Sequence, residues 1–173
     1  MIVSNDNKRD GKLKINERET VEKPFLNQLD NQGWEIVDLK LRQQPEESFR
    51  TDLGQVILFP KLEESLRRIN PFLEDNQISE VVRIITTYPH ANLLENNQHI
   101  LQLLLENSSV SENRTTGEKS PTVRFIDFDN IENNSFIAIC QFKVRIPGTD
   151  HHFLPDIMLF VNGLPLVAIE CKS

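Results

Sequence analysis

The last twenty residues, Leu154 to Ser173, constrain the fold most; they read LPDIMLFVNGLPLVAIECKS. Two apolar runs flank Asn162-Gly163. Asn-Gly between β-type runs signals a hairpin, because both residues tolerate the positive φ of a type I′ turn. Ile157, Phe160, Val161, Val167 and Ile169 favour strands. From Leu164 to Ile169 every residue is apolar, which predicts a strand covered on both faces at the centre of an α/β sheet. Charges punctuate the block at Asp156, Glu170 and Lys172. Ionised groups abutting a buried strand require a partner or a cation.

A two-residue turn sets Val161 opposite Leu164 and Phe160 opposite Pro165. The second pair is then non-hydrogen-bonded, where a residue without an N–H does least harm. Continuing that register puts Asp156 opposite Ile169, on the other face from Glu170 and Lys172. If those three residues form one site, a bulge or an early divergence of the strands must intervene. A regular ladder from Asp156 to Ile169 counts against the site.

Asp156, with Glu170-Cys171-Lys172 beginning fourteen residues later, has the make-up of a metal-dependent phosphodiesterase site. Two carboxylates can hold Mg²⁺, which keeps several waters and meets its substrate through phosphate oxygens. The ion activates water and polarises the phosphate. A neighbouring lysine, a compact and mobile cation, orients the water and offsets developing charge. The bland reading is an ion pair of Glu170 with Lys172 at a strand end, and spacing alone leaves both open. His151 and His152 lie in a polar loop and point to opposite faces of any extended segment, so they are left out of the site.

The net charge of −7 argues against a broad phosphate-gripping surface. Nucleic-acid contact is expected to be local or supplied by partners. Cys140 and Cys171 lack metal-like spacing and read as reduced, buried thiols. No signal peptide or apolar run of membrane-spanning length is visible, which predicts a soluble cytoplasmic protein without a membrane partner.

Residues 1–16 read as a loose lead-in. Val21, Phe25, Leu26 and Leu29 fall at helical spacing, with Glu22 beside them. Pro24 belongs in a first turn, so the helix is expected to begin near it, with Glu22 at its entrance and Gly33 as terminator. Trp34 to Leu39 alternates as a strand. Pro60 opens a helix bearing Leu62, Leu66 and Ile69 that stops at Asn70-Pro71. Residues 77–87 read as a helix with strand as the alternative, and 91–106 as a leucine-rich helix whose stripe belongs to the core. Residues 107–120 read as a mobile polar loop. Strands are expected over Val123–Phe128 and Phe136–Arg145. The sum is an α/β (mixed α+β) domain with the last hairpin central.

The C-terminal block closely resembles the PD-(D/E)xK nuclease core at the N-terminus of type I restriction enzyme R subunits, the HsdR family, with its PDI-x-LFVNGLPL-x-x-x-E-x-K hairpin. VRFIDFDNIENNSFIAICQFKV is similar to the family's DFDN…N-F…QF-V strand pair, and VEKPFLNQLDNQGWEIV to its first helix and strand. The resemblance implies a restriction-endonuclease-like core, with a central mixed sheet flanked by helices. That core would come from residues 17–39 and 121–173 of one domain, with a helical or irregular insertion at about 40–120. It implies Asp156 and Glu170 as metal carboxylates, the Cys171 backbone carbonyl as a further Mg²⁺ ligand, Lys172 as catalytic lysine and Glu22 as the helix acid near the metal. Pro24 departs from the family pattern beside Glu22.

The family's Q-x-x-x-Y helix and its ATP-binding translocase domains are expected beyond Lys172. The chain is accordingly read as an N-terminal fragment, inactive by itself. The partners implied are double-stranded DNA and the specificity and methylation subunits. Two rival readings are a stand-alone nuclease of the same fold and a non-catalytic protein-docking module.

Overall fold

A computed structural model describes residues 18–39 and 45–172. The expected lead-in at residues 1–16 lies outside the described residues, as do 40–44 of the polar stretch that follows the first strand. The chain divides into two compact units, described in turn. The first takes in the described residues up to Val56, Phe136–Phe160 and those from Pro165 on. The second comprises Ile57–Ser135 and Val161–Leu164.

In the first unit a π-helical turn, Arg18–Glu22, runs into helix α1, Lys23–Asn31. Pro24 sits in the first α-turn, where its missing N–H breaks no intrahelical bond. Glu22 thus stands at the entrance to α1, with helical backbone angles. Gly33, at φ +87°, ends the helix as expected, its N–H donating to the Asp30 carbonyl. Strand β1, Glu35–Asp38, follows and pairs in parallel with β4, Phe136–Cys140, from Glu35 beside Ile137 to Asp38 beside Cys140. Leu29 of α1 packs with Ala138, Cys140 and Ile157, and Phe25, Leu26 and Trp34 flank them.

The final hairpin forms from β7, Ile157–Val161, and β8, Leu164–Ile169. Asn162 and Gly163 turn it at φ +53° and +78°, the signs a type I′ turn demands. The four-stranded sheet has the order β1-β4-β7-β8. The architecture is mixed α/β, with a central mixed sheet and, among the described residues, four α-helices, consistent with a PD-(D/E)xK-like nuclease domain.

Three strand expectations are corrected. β8 is an edge strand, with Leu166 and Val167 43% and 47% exposed. The strand buried along nearly its whole length is β4, where Ile137, Ala138, Ile139 and Cys140 are all at most 1% exposed. An unbroken apolar run signals either position, and only the sheet order separates them. The Phe136–Arg145 strand breaks at Gln141, whose φ of +58° turns the chain out of the sheet. Its remainder, β5 at Val144–Arg145, pairs with β6 at His152–Phe153. The Val123–Phe128 strand is reduced to its start: β3, Thr122–Val123, pairs with β2, Ser108–Ser109. Beyond it Asp127 accepts the Asp129 and Asn130 N–H groups, a side-chain turn that competes with a ladder.

The second unit holds α2 at Phe59–Ile69, α3 at Asp75–Thr86 and α4 at Leu93–Glu106. Residues 77–87 therefore resolve as helix, begun by a capping box of Glu74 with Gln77. Leu62, Leu66, Ile78, Val81, Ile85 and Leu104 form its core with Val123 and Phe125. The α4 stripe is only partly core, since Leu93, Leu94, Leu101 and Leu105 are exposed. Residues 107–120 are folded rather than loose. Buried Asn113 donates to the Phe72 carbonyl and Gln77 Oε1 and accepts the Thr115 and Thr116 N–H groups. A polar side chain satisfied in this way orders a loop that composition marks as mobile.

The turn of the hairpin is fixed by hydrogen bonds. Asn162 is fully buried; its Nδ2 donates to the Phe125 carbonyl and Asn134 Oδ1, both at 2.8 Å. Its Oδ1 accepts the Ser135 N–H at 2.8 Å, and its own N–H donates to the Ser135 carbonyl. Gly163 approaches α2 so closely that a Cβ there would lie 2.6 Å from the Leu58 carbonyl oxygen.

Candidate functional site

Asp156 stands one residue before β7, in a bend, and Glu170 one residue past β8. Neither belongs to a strand. The Asp156 carbonyl accepts the Gln141 N–H at 2.9 Å, tying it to the end of β4. Its carboxylate reaches the other way: Oδ2 accepts the Cys171 N–H at 2.8 Å. Asp156 and Glu170 both lie just outside the paired strands, and a side-chain bond links the two chain segments there. Asp156 is half-buried, whereas Glu170 and Lys172 are exposed.

Asp156 Oδ1 also accepts Gln141 Nε2 at 3.4 Å, longer than an ordinary hydrogen bond. A carboxylate has about four acceptor positions, so both Asp156 oxygens keep capacity beyond these two N–H donors. The hairpin therefore brings Asp156 against Cys171, between Glu170 and Lys172, and leaves the two flanking charges in solvent.

Glu22 is 7% exposed. It belongs to the charged surroundings of the Cys140 thiol, together with Asp38, Arg18 and Cys171. Burial first, then the Asp38 charge, pushes that thiol up to about 12, so Cys140 is an inert core group, as read from its apolar run. Arg18 donates to Asp38 and is raised above its ordinary value by that bond. Glu22 and the Cys171 end of the hairpin thus share one neighbourhood around Cys140.

Two residues near the site escaped the sequence reading. Gln141 carries one faint signal, a polar residue interrupting the apolar run FIAICQF. Arg50 carries none. It is 2% exposed, its guanidinium lies 3.8 Å over the Phe142 ring, and Nη1 donates to the Lys143 and Gln55 carbonyls. Nε donates to Ser48 Oγ, while buried Nη2 has no protein partner among the described residues. Desolvation lowers the guanidinium to about 10. Arg50 thereby clamps residues 142 and 143 directly after Gln141.

The residues fit Mg²⁺ chemically, since Asp156, Glu170 and the Cys171 carbonyl offer only hard oxygen donors. Among the described residues no three His, Cys, Asp or Glu side chains gather as a metal cage. This is unlike a structural zinc site and compatible with an ion held by one or two carboxylates and water.

The mixed α/β fold is consistent with a nuclease domain of the PD-(D/E)xK kind. The family model described as "Type I restriction enzyme R protein N terminus" matches residues 14–173. The chain belongs to that family. The "Type I restriction enzyme HindI endonuclease subunit" of Haemophilus influenzae is 34% identical over 160 residues, covering 92% of this chain and 15% of that protein. The "Putative type I restriction enzyme MjaIXP endonuclease subunit" of Methanocaldococcus jannaschii is 26% identical, with the same two coverages. The chain therefore spans about one seventh of the length of these relatives. No described helix is long and apolar enough to cross a membrane.

Proposed function

We propose that this chain is the Mg²⁺-dependent endonuclease module of a type I restriction enzyme, hydrolysing phosphodiester bonds in double-stranded DNA. The observation that carries the reading is Asp156: a carboxylate held by the Cys171 N–H at the point where the hairpin strands part. Asp156, Glu170 and the Cys171 carbonyl would hold the ion, with Glu22 as a further acid nearby. The bound ion supplies a polarised phosphate and an acidified water. Lys172, exposed at the open end of the hairpin, orients the water and offsets charge on the phosphorus oxygens.

In this reading, ATP-driven translocation belongs to other parts of the subunit, and specificity and methylation subunits supply recognition. The enzyme works in the cytoplasm. That delegation suits a net charge of −7, which offers no broad basic face for DNA.

The test is to place Asp156→Ala, Glu170→Ala and Lys172→Ala separately in the full-length polypeptide assembled with its partner subunits. Each should lower DNA cleavage about 100-fold or more while ATP hydrolysis persists. Restriction left intact by all three would instead identify a docking module.

A further inference from the structure

We infer that Gln141 is a positioning residue for the metal carboxylate Asp156, an inference that rests on the proposed function. Gln141 grips Asp156 at two points, its backbone N–H on the carbonyl at 2.9 Å and its side-chain Nε2 near Oδ1 at 3.4 Å. It does so from a conformation that favours glycine: φ is +58°, in the left-handed region. Glycine would adopt that backbone more readily and donate the same N–H. What glycine cannot supply is the amide side chain.

The two carboxylate oxygens therefore take N–H donors from two directions, Oδ2 from the backbone of Cys171 and Oδ1 from the side chain of Gln141. The 2.8 Å bond from Cys171 and the longer 3.4 Å contact from Gln141 together restrict the carboxylate's rotation about its last bond. Its remaining lone pairs stay open to an ion. Partners of this kind tune affinity without touching the metal. Arg50 anchors the two residues that follow Gln141 by holding the Lys143 carbonyl and stacking on Phe142.

The experiment is Mn²⁺ titration of the full-length polypeptide without nucleotide, comparing Gln141→Gly, Gln141→Ala and Asp156→Ala with the parent, alongside thermal unfolding. Mn²⁺ binding that requires Asp156 should weaken roughly 10-fold in both Gln141 variants. Gln141→Gly should unfold no earlier than the parent because it relieves the left-handed backbone. Weaker binding in an equally stable protein is something a purely structural role would not produce. If Asp156→Ala abolishes binding while both Gln141 variants bind like the parent, the positioning role is overturned and the metal site stands. If Asp156→Ala itself leaves Mn²⁺ binding unchanged, the metal assignment fails and the inference fails with it.

Discussion

The two ends of the final hairpin are chemical opposites. At the turn, Asn162 is fully buried and its side chain makes three hydrogen bonds at 2.8 Å, to Phe125, Asn134 and Ser135. At the open end, Asp156 is half-buried with acceptor capacity to spare, and Glu170 and Lys172 lie in solvent. A polar group satisfied within the protein specifies a conformation. One with spare capacity at the surface can serve a ligand. The same hairpin carries both kinds, and the difference separates what builds the fold from what the fold presents.

Substitutions at the turn should therefore hurt stability, and those at the open end chemistry. The largest stability loss is expected for Gly163→Ala. Its Cβ would meet the Leu58 carbonyl oxygen at 2.6 Å and the Leu62 nitrogen at 2.7 Å, both backbone atoms, at a φ of +78°. A loss of about 4 kcal/mol in denaturant unfolding is expected, among the severest single-residue effects. Asn162→Ala should follow at roughly 3 kcal/mol, since it removes the Asn162 side chain's bonds to the Phe125 carbonyl, Asn134 Oδ1 and the Ser135 N–H and places alanine at positive φ. If it costs less than about 1 kcal/mol, the turn network is ornamental and the comparison breaks. Glu170→Ala should move stability least, within about 0.5 kcal/mol, because the side chain is exposed. A loss of several kcal/mol there would mean that the open end also holds the fold together.

Much of this was legible from residues alone, for local reasons. Asn162-Gly163 dictates a two-residue turn because few other pairs accept two positive φ values in succession. Pro24 and Gly33 bracket α1 because one lacks an N–H and the other a Cβ. Hairpin arithmetic sets Asp156 opposite Ile169, and the contact of its carboxylate with the Cys171 N–H lies outside that register.

What failed has more than one cause. β8 reads as a central strand yet lies at the edge, and β4 takes the buried place, because both are apolar and their order depends on β1 and β7. The Val123–Phe128 and Phe136–Arg145 strands stop early where single side chains divert the backbone. Asp127 captures two N–H groups, and Gln141 takes a left-handed turn toward Asp156. The loop at 107–120 reads as mobile because its composition is polar, and Asn113 finds its partners only in the folded chain.

The sequence by itself determined the turn, the caps, the helical stripes and the three charged residues at the hairpin's open end. Each depends on φ preference, missing donors or periodicity within a few neighbouring residues. Tertiary structure alone decided which apolar strand is buried, that buried Glu22 and Cys171 share the surroundings of one thiol, and that Gln141 and Cys171 grip opposite oxygens of Asp156. Those outcomes depend on contacts between residues far apart in the chain, and no local preference encodes them.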